Sequence, residues 1–192
     1  MKNSLSYKKM IFFSLISICL TIILLLNINT KYIALYLASS HSTILNTENL
    51  KKNNILKLDS LDELKAKTES LNYKTGLIID KSILENNNDE MKELNNWLLQ
   101  QKNYPIIVLG YGNPSYVYFK KLTFSNKKNI PFDDEEFENF SKEKGFSLAY
   151  ICSNNYIYGK GFKDTIEIDK ILEVVDNGLK DEQHVIQMLG DS

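Results

Sequence analysis

Eighteen consecutive residues, Ile11 to Ile28 (IFFSLISICLTIILLLNI), carry no charge, and the rest of the chain can be read only once that run is placed. A helix of this length rises ~27 Å, close to the ~30 Å hydrocarbon core of a bilayer. Ser14, Ser17, Cys19 and Thr21 can bond back to helix carbonyls, so they cost little in lipid. The run therefore reads as a transmembrane helix. Lys2, Lys8 and Lys9 precede it, and only Lys31 follows within the next twenty residues. That asymmetry puts residues 1–10 in the cytoplasm and everything after the helix outside the cell.

Two other readings of the run fit less well. A cleaved secretory signal needs small residues promptly after a shorter apolar stretch. Here the nearest such pattern, Ala38-Ser39-Ser40, lies well downstream. A lipid-bearing cysteine needs a small residue before it, whereas Ile18 precedes Cys19 and the apolar run continues beyond. An uncleaved anchor is the expectation.

Residues 29–53 read as a stalk. TKYIALYLASS could prolong the helix or lie in the interface, with Tyr32 and Tyr36 at headgroup depth. HSTILNTENLKKNN shows no sustained period and many turn formers. This leaves enough chain from Asn54 onward for one hydrophobic core.

Charge narrows the partners. All 23 basic residues are Lys, and Asn occurs 21 times, as codon usage in an AT-rich bacterial genome would give. Without Arg, no bidentate guanidinium is available for phosphate. Beyond residue 28 there are 20 Lys against 24 acids, a formal charge of −4. Nucleic acid is not an expected partner of such a domain. The expected contacts are the membrane, through residues 11–28, and an envelope protein or polymer.

From Asn54 strand and helix signals alternate. Asn54 to Leu58 suits a first strand. Ser60-Leu61-Asp62-Glu63 is a capping box opening a helix to about Leu71. Gly76 to Asp80 is a short apolar run typical of a buried parallel strand. A helix from near Asn88 puts Met91, Leu94, Trp97 and Leu98 on one face. Ile106 to Leu109 is a second buried strand, after which Asn113 can cap a helix with Pro114 at its first position. Asp133 to Glu136 load the start of another helix, which carries Phe137 and Phe140 and ends at Gly145. Phe146 to Cys152 and Tyr156 to Tyr158 flank Ser153-Asn154-Asn155 as a hairpin. Ile166 and Ile168 could add a strand before a helix from Asp169 to about Leu179. Residues 181–192 read as a fraying tail. The fold class expected for 54–180 is α/β: a three-layer sandwich on a mostly parallel sheet, with an antiparallel hairpin at one edge.

The stretch LIIDKSILENNNDEMKELNNWLLQQKNYPIIVLGYGNP resembles strand–helix–strand units of glutamine-amidotransferase-like and related flavodoxin-like domains. In those, a strand ending in Gly-x-Gly turns into the next helix. The resemblance spans residues 77–114 and bears on architecture alone.

Candidate chemistry gathers at the strand ends. Gly110-Tyr111-Gly112-Asn113-Pro114-Ser115 follows a buried strand and opens a helix, where free N–H groups can hold an anion. Asp80 closes the neighbouring strand, and ligands in open α/β sheets collect at such ends. Asp80, Gly110, Gly112, Asn113 and Ser115 are the candidate ligand-binding residues. Ser115 stands where a dinucleotide fingerprint needs its third Gly. The same residues also describe a tight strand-to-helix turn with an Asn cap, and that reading is preferred.

No catalytic residue is assigned. Cys152, beyond the anchor, leads into a hairpin rather than a nucleophile elbow and reads as a buried structural thiol. His41 falls in the stalk and His184 in the tail, and no His or Cys cluster has metal-ligand spacing. No metal or cofactor is expected. Tyr104, Tyr111, Tyr116, Tyr118, Tyr150, Tyr156 and Tyr158 could form an interaction surface, though core packing accounts for them more simply. Two functional readings follow. One is a tethered, non-catalytic binding module. The alternative is an extracytoplasmic hydrolase or amidotransferase-like enzyme, active or degenerate, with its site near Asp80 and Gly112.

Overall fold

The computed structural model describes Phe13 and residues 31–85, 89–101, 103–112, 146–151, 157–162 and 167–190. Two units separate, Met1–Lys31 and Tyr32–Ser192. Of the apolar run only Phe13 is described, helical and exposed, so the expected transmembrane helix lies outside the described residues. No helix among the described residues is long and apolar enough to cross a membrane.

The second unit begins inside the expected stalk. Ala34–Leu37 form β1, every residue of it buried. β1 pairs in parallel on one side with β2 (Ile55–Leu58) and on the other with β3 (Gly76–Asp80). β4 (Ile106–Tyr111) lies parallel to β3, and β5 (Phe146–Ile151) and β6 (Ile157–Phe162) complete an antiparallel edge. The strand order is β2-β1-β3-β4-β5-β6. The expected α/β class with a mixed sheet is therefore observed, and its edge is an antiparallel pair, β5 with β6.

The stalk reading of residues 32–53 and the headgroup placement of Tyr36 are corrected: Tyr36 is a core residue with no exposure. A buried parallel strand has no polar alternation, so ALYLA looks like more of the apolar segment before it. Between β1 and β2 a short helix, α1 (Thr47–Lys52), is capped by the Asn46 side chain, which accepts from the Asn49 N–H at 2.8 Å.

Helices cover both sheet faces. Against one face lie α1, α5 (Ile168–Lys180) and α6 (Glu182–Gly190), burying Leu50, Ile171, Val175, Val185 and Leu189 on Tyr36, Ile78, Ile107 and Leu148. Against the other lie α2 (Leu61–Ser70), α3 (Lys81–Glu85) and α4 (Asp89–Leu98), burying Leu64, Leu84, Leu94 and Leu98 on Leu35, Leu77, Ile79 and Val108. Odd and even residues of each strand divide between the two clusters, as the pleat requires. At Gly178 a Cβ would lie 2.7 Å from that of Pro105, so glycine lets α5 approach the start of β4.

The capping box forms. Ser60 Oγ accepts from the Glu63 N–H at 3.2 Å, while the Glu63 carboxylate reaches back one residue further, to the Asp59 N–H at 3.0 Å. Met91, Leu94 and Leu98 are buried and Trp97 half-buried, which matches the expected face of α4. Two expectations near the C-terminus are corrected. Ile168 begins α5 rather than adding a strand, and the tail forms α6, anchored by buried Val185 and Leu189. Apolar residues three and four apart (Val185, Ile186, Leu189) were the signal. Ile166, the two helices expected from Asn113 and Asp133, Cys152 and the hairpin turn at 153–155 lie outside the described residues.

A chain beginning at Asn54 lacks an interior strand and is expected not to fold. One beginning at Tyr32 is expected to melt cooperatively. Circular dichroism and thermal denaturation of the two would decide, and a cooperative transition in the shorter chain would contradict the role given to β1.

Candidate functional site

In this strand order the chain runs from β1 outward to β2, then back past β1 to β3. The reversal leaves a switch point between the C-terminal ends of β1 and β3, the place where open α/β sheets usually bind ligands. Asp80 stands there, and it is completely buried.

A buried carboxylate is costly unless its oxygens are hydrogen-bonded. Here all the donors come from the chain itself. Oδ1 accepts from the Ser82 N–H at 2.9 Å and the Ser82 hydroxyl at 2.7 Å. Oδ2 accepts from the Tyr36 hydroxyl at 2.6 Å and from the Ser42 hydroxyl. The first pair makes Asp80 the cap of α3, an acidic side chain at a helix start. The second pair fastens the loop after β1. Tyr36 pairs with Ile78 in the register, so its side chain points to the same face as Asp80 and its hydroxyl reaches along it. Burial first, and then the adjacent Asp80 carboxylate, push the Tyr36 phenol well above its ordinary range. It is therefore a proton donor throughout the ordinary pH range.

The neighbouring strand end is equally committed. The Lys81 stem crosses β4 directly over Gly110, where a Cβ would lie 2.4 Å from the Lys81 Cβ. The Lys81 ammonium donates to the Tyr111 carbonyl at 2.7 Å. Gly112 has φ 75°, which favours glycine, and its carbonyl accepts from the buried Ser147 hydroxyl.

Of the sequence-predicted residues, the structure brings Asp80, Gly110 and Gly112 to one corner of the sheet, with Lys81 between them. Asn113 and Ser115 lie outside the described residues. The reading missed Tyr36, Ser42 and Lys81, whose contacts link distant parts of the chain. Ser82 could have been found, since Asp-x-Ser before a helix is a capping pattern. His41 is not in a stalk. It is exposed in the loop after β1, next to Ser42. His184 is exposed on α6. The tyrosines divide: Tyr150 is core, whereas Tyr111 is 53% exposed and meets Phe146 edge-on at 5.4 Å. Among the described residues no group of three or more His, Cys, Asp or Glu could hold a metal ion.

No family model, no curated protein and no solved structure matches this chain.

Tyr36→Phe withdraws one donor from a buried carboxylate and is expected to cost ~1–3 kcal/mol in denaturant unfolding. The pH dependence has a definite sign. The folded-state pKa of Tyr36 lies above its unfolded value of about 10, so its contribution is complete below that pH and is lost as pH rises beyond it. Above about pH 10 the wild-type chain should lose stability faster than Tyr36→Phe, by up to ~1.4 kcal/mol per pH unit. Parallel curves for the two proteins would contradict the assignment. Gly110→Ala is expected to destabilise by ~1–3 kcal/mol through overpacking against Lys81, measured in the same way.

Proposed function

We propose that the chain is a single-pass membrane protein, anchored by residues 11–28, whose extracytoplasmic α/β domain is a binding or interaction module rather than an enzyme. The domain is read as a three-layer sandwich. The observation that carries the non-catalytic reading is the state of Asp80. It is the carboxylate at the switch point, and both of its oxygens are occupied by donors of its own chain. A general base needs a free acceptor within reach of substrate. The Ser42 and Ser82 hydroxyls donate to that carboxylate, and neither bonds to an imidazole among the described residues. Burial of Asp80, Gly110 and Gly112 adds support, because these residues form the packed corner itself. The anchor reading rests on the uncharged run and its flanking lysines. The partner this reading favours is a protein or polymer of the envelope.

Membrane attachment is tested by alkaline carbonate washing of membranes. The full chain should remain in the pellet and a chain lacking residues 11–28 should be released. Protease added to intact spheroplasts should digest the domain, and protection until lysis would place it on the other side. The non-catalytic reading is tested with panels of ester, amide and glycoside substrates. No turnover is expected, and turnover abolished by Asp80→Ala or Cys152→Ser would overturn it.

A further inference from the structure

The two strand-end edges of the domain differ in charge, and the difference follows from its construction. Helices between parallel strands all start at one edge and end at the other. Acids favour helix N-termini and lysines favour C-termini. At the C-terminal strand edge, helix starts and caps carry Glu48, Asp59, Asp62, Glu63, Asp89 and Asp169, and the lysines described there are Lys57, Lys81, Lys92 (paired with Asp89) and Lys170 (paired with Glu173). At the N-terminal strand edge, Lys51 and Lys52 end α1, Lys67 lies in the last turn of α2, and Lys74 is exposed just before β3. The acid among them is Glu69. Further along, below α5, Lys180 pairs with Asp176 at 2.6 Å, and Asp181 and Glu182 follow.

The basic edge is also where the chain enters the domain, and the entering residues are fastened there. The Tyr32 N–H donates to the Tyr73 hydroxyl at 2.7 Å, and the Lys67 ammonium sits 5.0 Å from the centre of the Tyr32 ring. The Ile33 N–H donates to the Asn54 carbonyl at 3.0 Å, and the buried Thr75 hydroxyl donates to the Ile33 carbonyl at 2.8 Å. Tyr32, Tyr73 and Tyr104 are half-buried at this edge, and Ile33 is 39% exposed beside them. In the sequence only Asn29, Thr30 and Lys31 separate the apolar run from Tyr32.

We propose that this edge is a binding surface for an anionic lipid bilayer. Lys51, Lys52, Lys67 and Lys74 meet lipid phosphates, and Tyr32, Tyr73 and Tyr104 lie at the interfacial layer, where amphipathic rings are favoured. The acidic edge is turned to solvent, repelled by the same surface within a Debye length of about 10 Å. The proposal rests on residues 11–28 being a membrane anchor. It adds a lipid-facing surface to the domain and leaves the switch-point edge turned away from the bilayer.

The test uses the full chain with Cys19→Ser and Cys152→Ser, reconstituted in vesicles. A fluorophore is placed at Lys74→Cys or at Asp62→Cys, and the lipids include one with a headgroup quencher. In vesicles of phosphatidylcholine with phosphatidylglycerol, quenching at position 74 should exceed that at position 62 several-fold. The excess should shrink in phosphatidylcholine alone, at high salt, and when Lys51, Lys52 and Lys67 are all replaced by Glu. Melting curves establish that each variant is folded. Equal quenching at both positions, or an excess indifferent to lipid charge, salt and the three substitutions, overturns the lipid surface. Carbonate washing of the same vesicles separates the two readings. A chain that washes off defeats the anchor, whereas one that stays without differential quenching defeats only the lipid-facing edge.

Discussion

The Asp80 carboxylate is withdrawn from water at the point where the strand order reverses, and much of the surrounding structure can be understood as what its burial requires. Among the described residues four donors meet it, from Tyr36 in β1, Ser42 in the following loop, and the Ser82 backbone and side chain. Removing one donor leaves a buried charge under-satisfied, which costs more than the net value of the bond. Tyr36 must therefore lie on the same face as Asp80, and the pairing of Tyr36 with Ile78 places it there. A one-residue slip of β1 would turn the phenol to the opposite face and expose Leu35 and Leu37 to the wrong cluster. The same carboxylate caps α3, which directs the Lys81 stem over Gly110 and its ammonium to Tyr111.

This arrangement bears on function because it occupies a position that other open α/β sheets leave available. Ligands collect at the switch point when helix starts and strand ends present unused donors and acceptors. Among the described residues the Asp80 oxygens are used internally, and the Ser147 hydroxyl takes up the Gly112 carbonyl as well. Fold alone does not assign an activity. What a sheet of this topology can do depends on which groups remain unpaired at that edge. The exposed groups there include His41 and Tyr111, an imidazole and a phenol on loops, suited to surface contact.

Much of the fold was legible in the sequence where local signals and tertiary packing agreed. β3 and β4 are short apolar runs with clear boundaries. α2 opens on a capping box whose bonds form. The β5–β6 antiparallel pair lies where apolar segments flank turn residues. β1 was not legible, because a strand buried on both faces and adjoining a long apolar run shares its composition. α6 was hidden by its short length and polar ends, though Val185 and Leu189 are buried. At the candidate site, Asp80, Gly110 and Gly112 were correctly placed near one another by strand-end reasoning. Their contacts were not foreseeable, since Tyr36 and Asp80 are 44 residues apart and meet only once the sheet is assembled. Gly110 was read chiefly as a turn glycine, and a lysine stem passing over it gives a further reason for glycine there.

The strand that was hardest to see is also held on both sides by its neighbours. A chain entering through an edge strand is held by one ladder and can be peeled away bond by bond. β1 is interior, so a pull on residues before Tyr32 is resisted by the ladders to β2 and β3 together. The bonds from Tyr32 and Ile33 to Tyr73, Asn54 and Thr75 carry that restraint to the first residues of the domain. The end of β1, in turn, is fixed by Tyr36 to Asp80. The interior strand is thus held at both ends, by backbone and hydroxyl contacts where the chain enters and by the buried carboxylate where it leaves. Burying one acid at the switch point therefore helps hold the first strand of the domain in place.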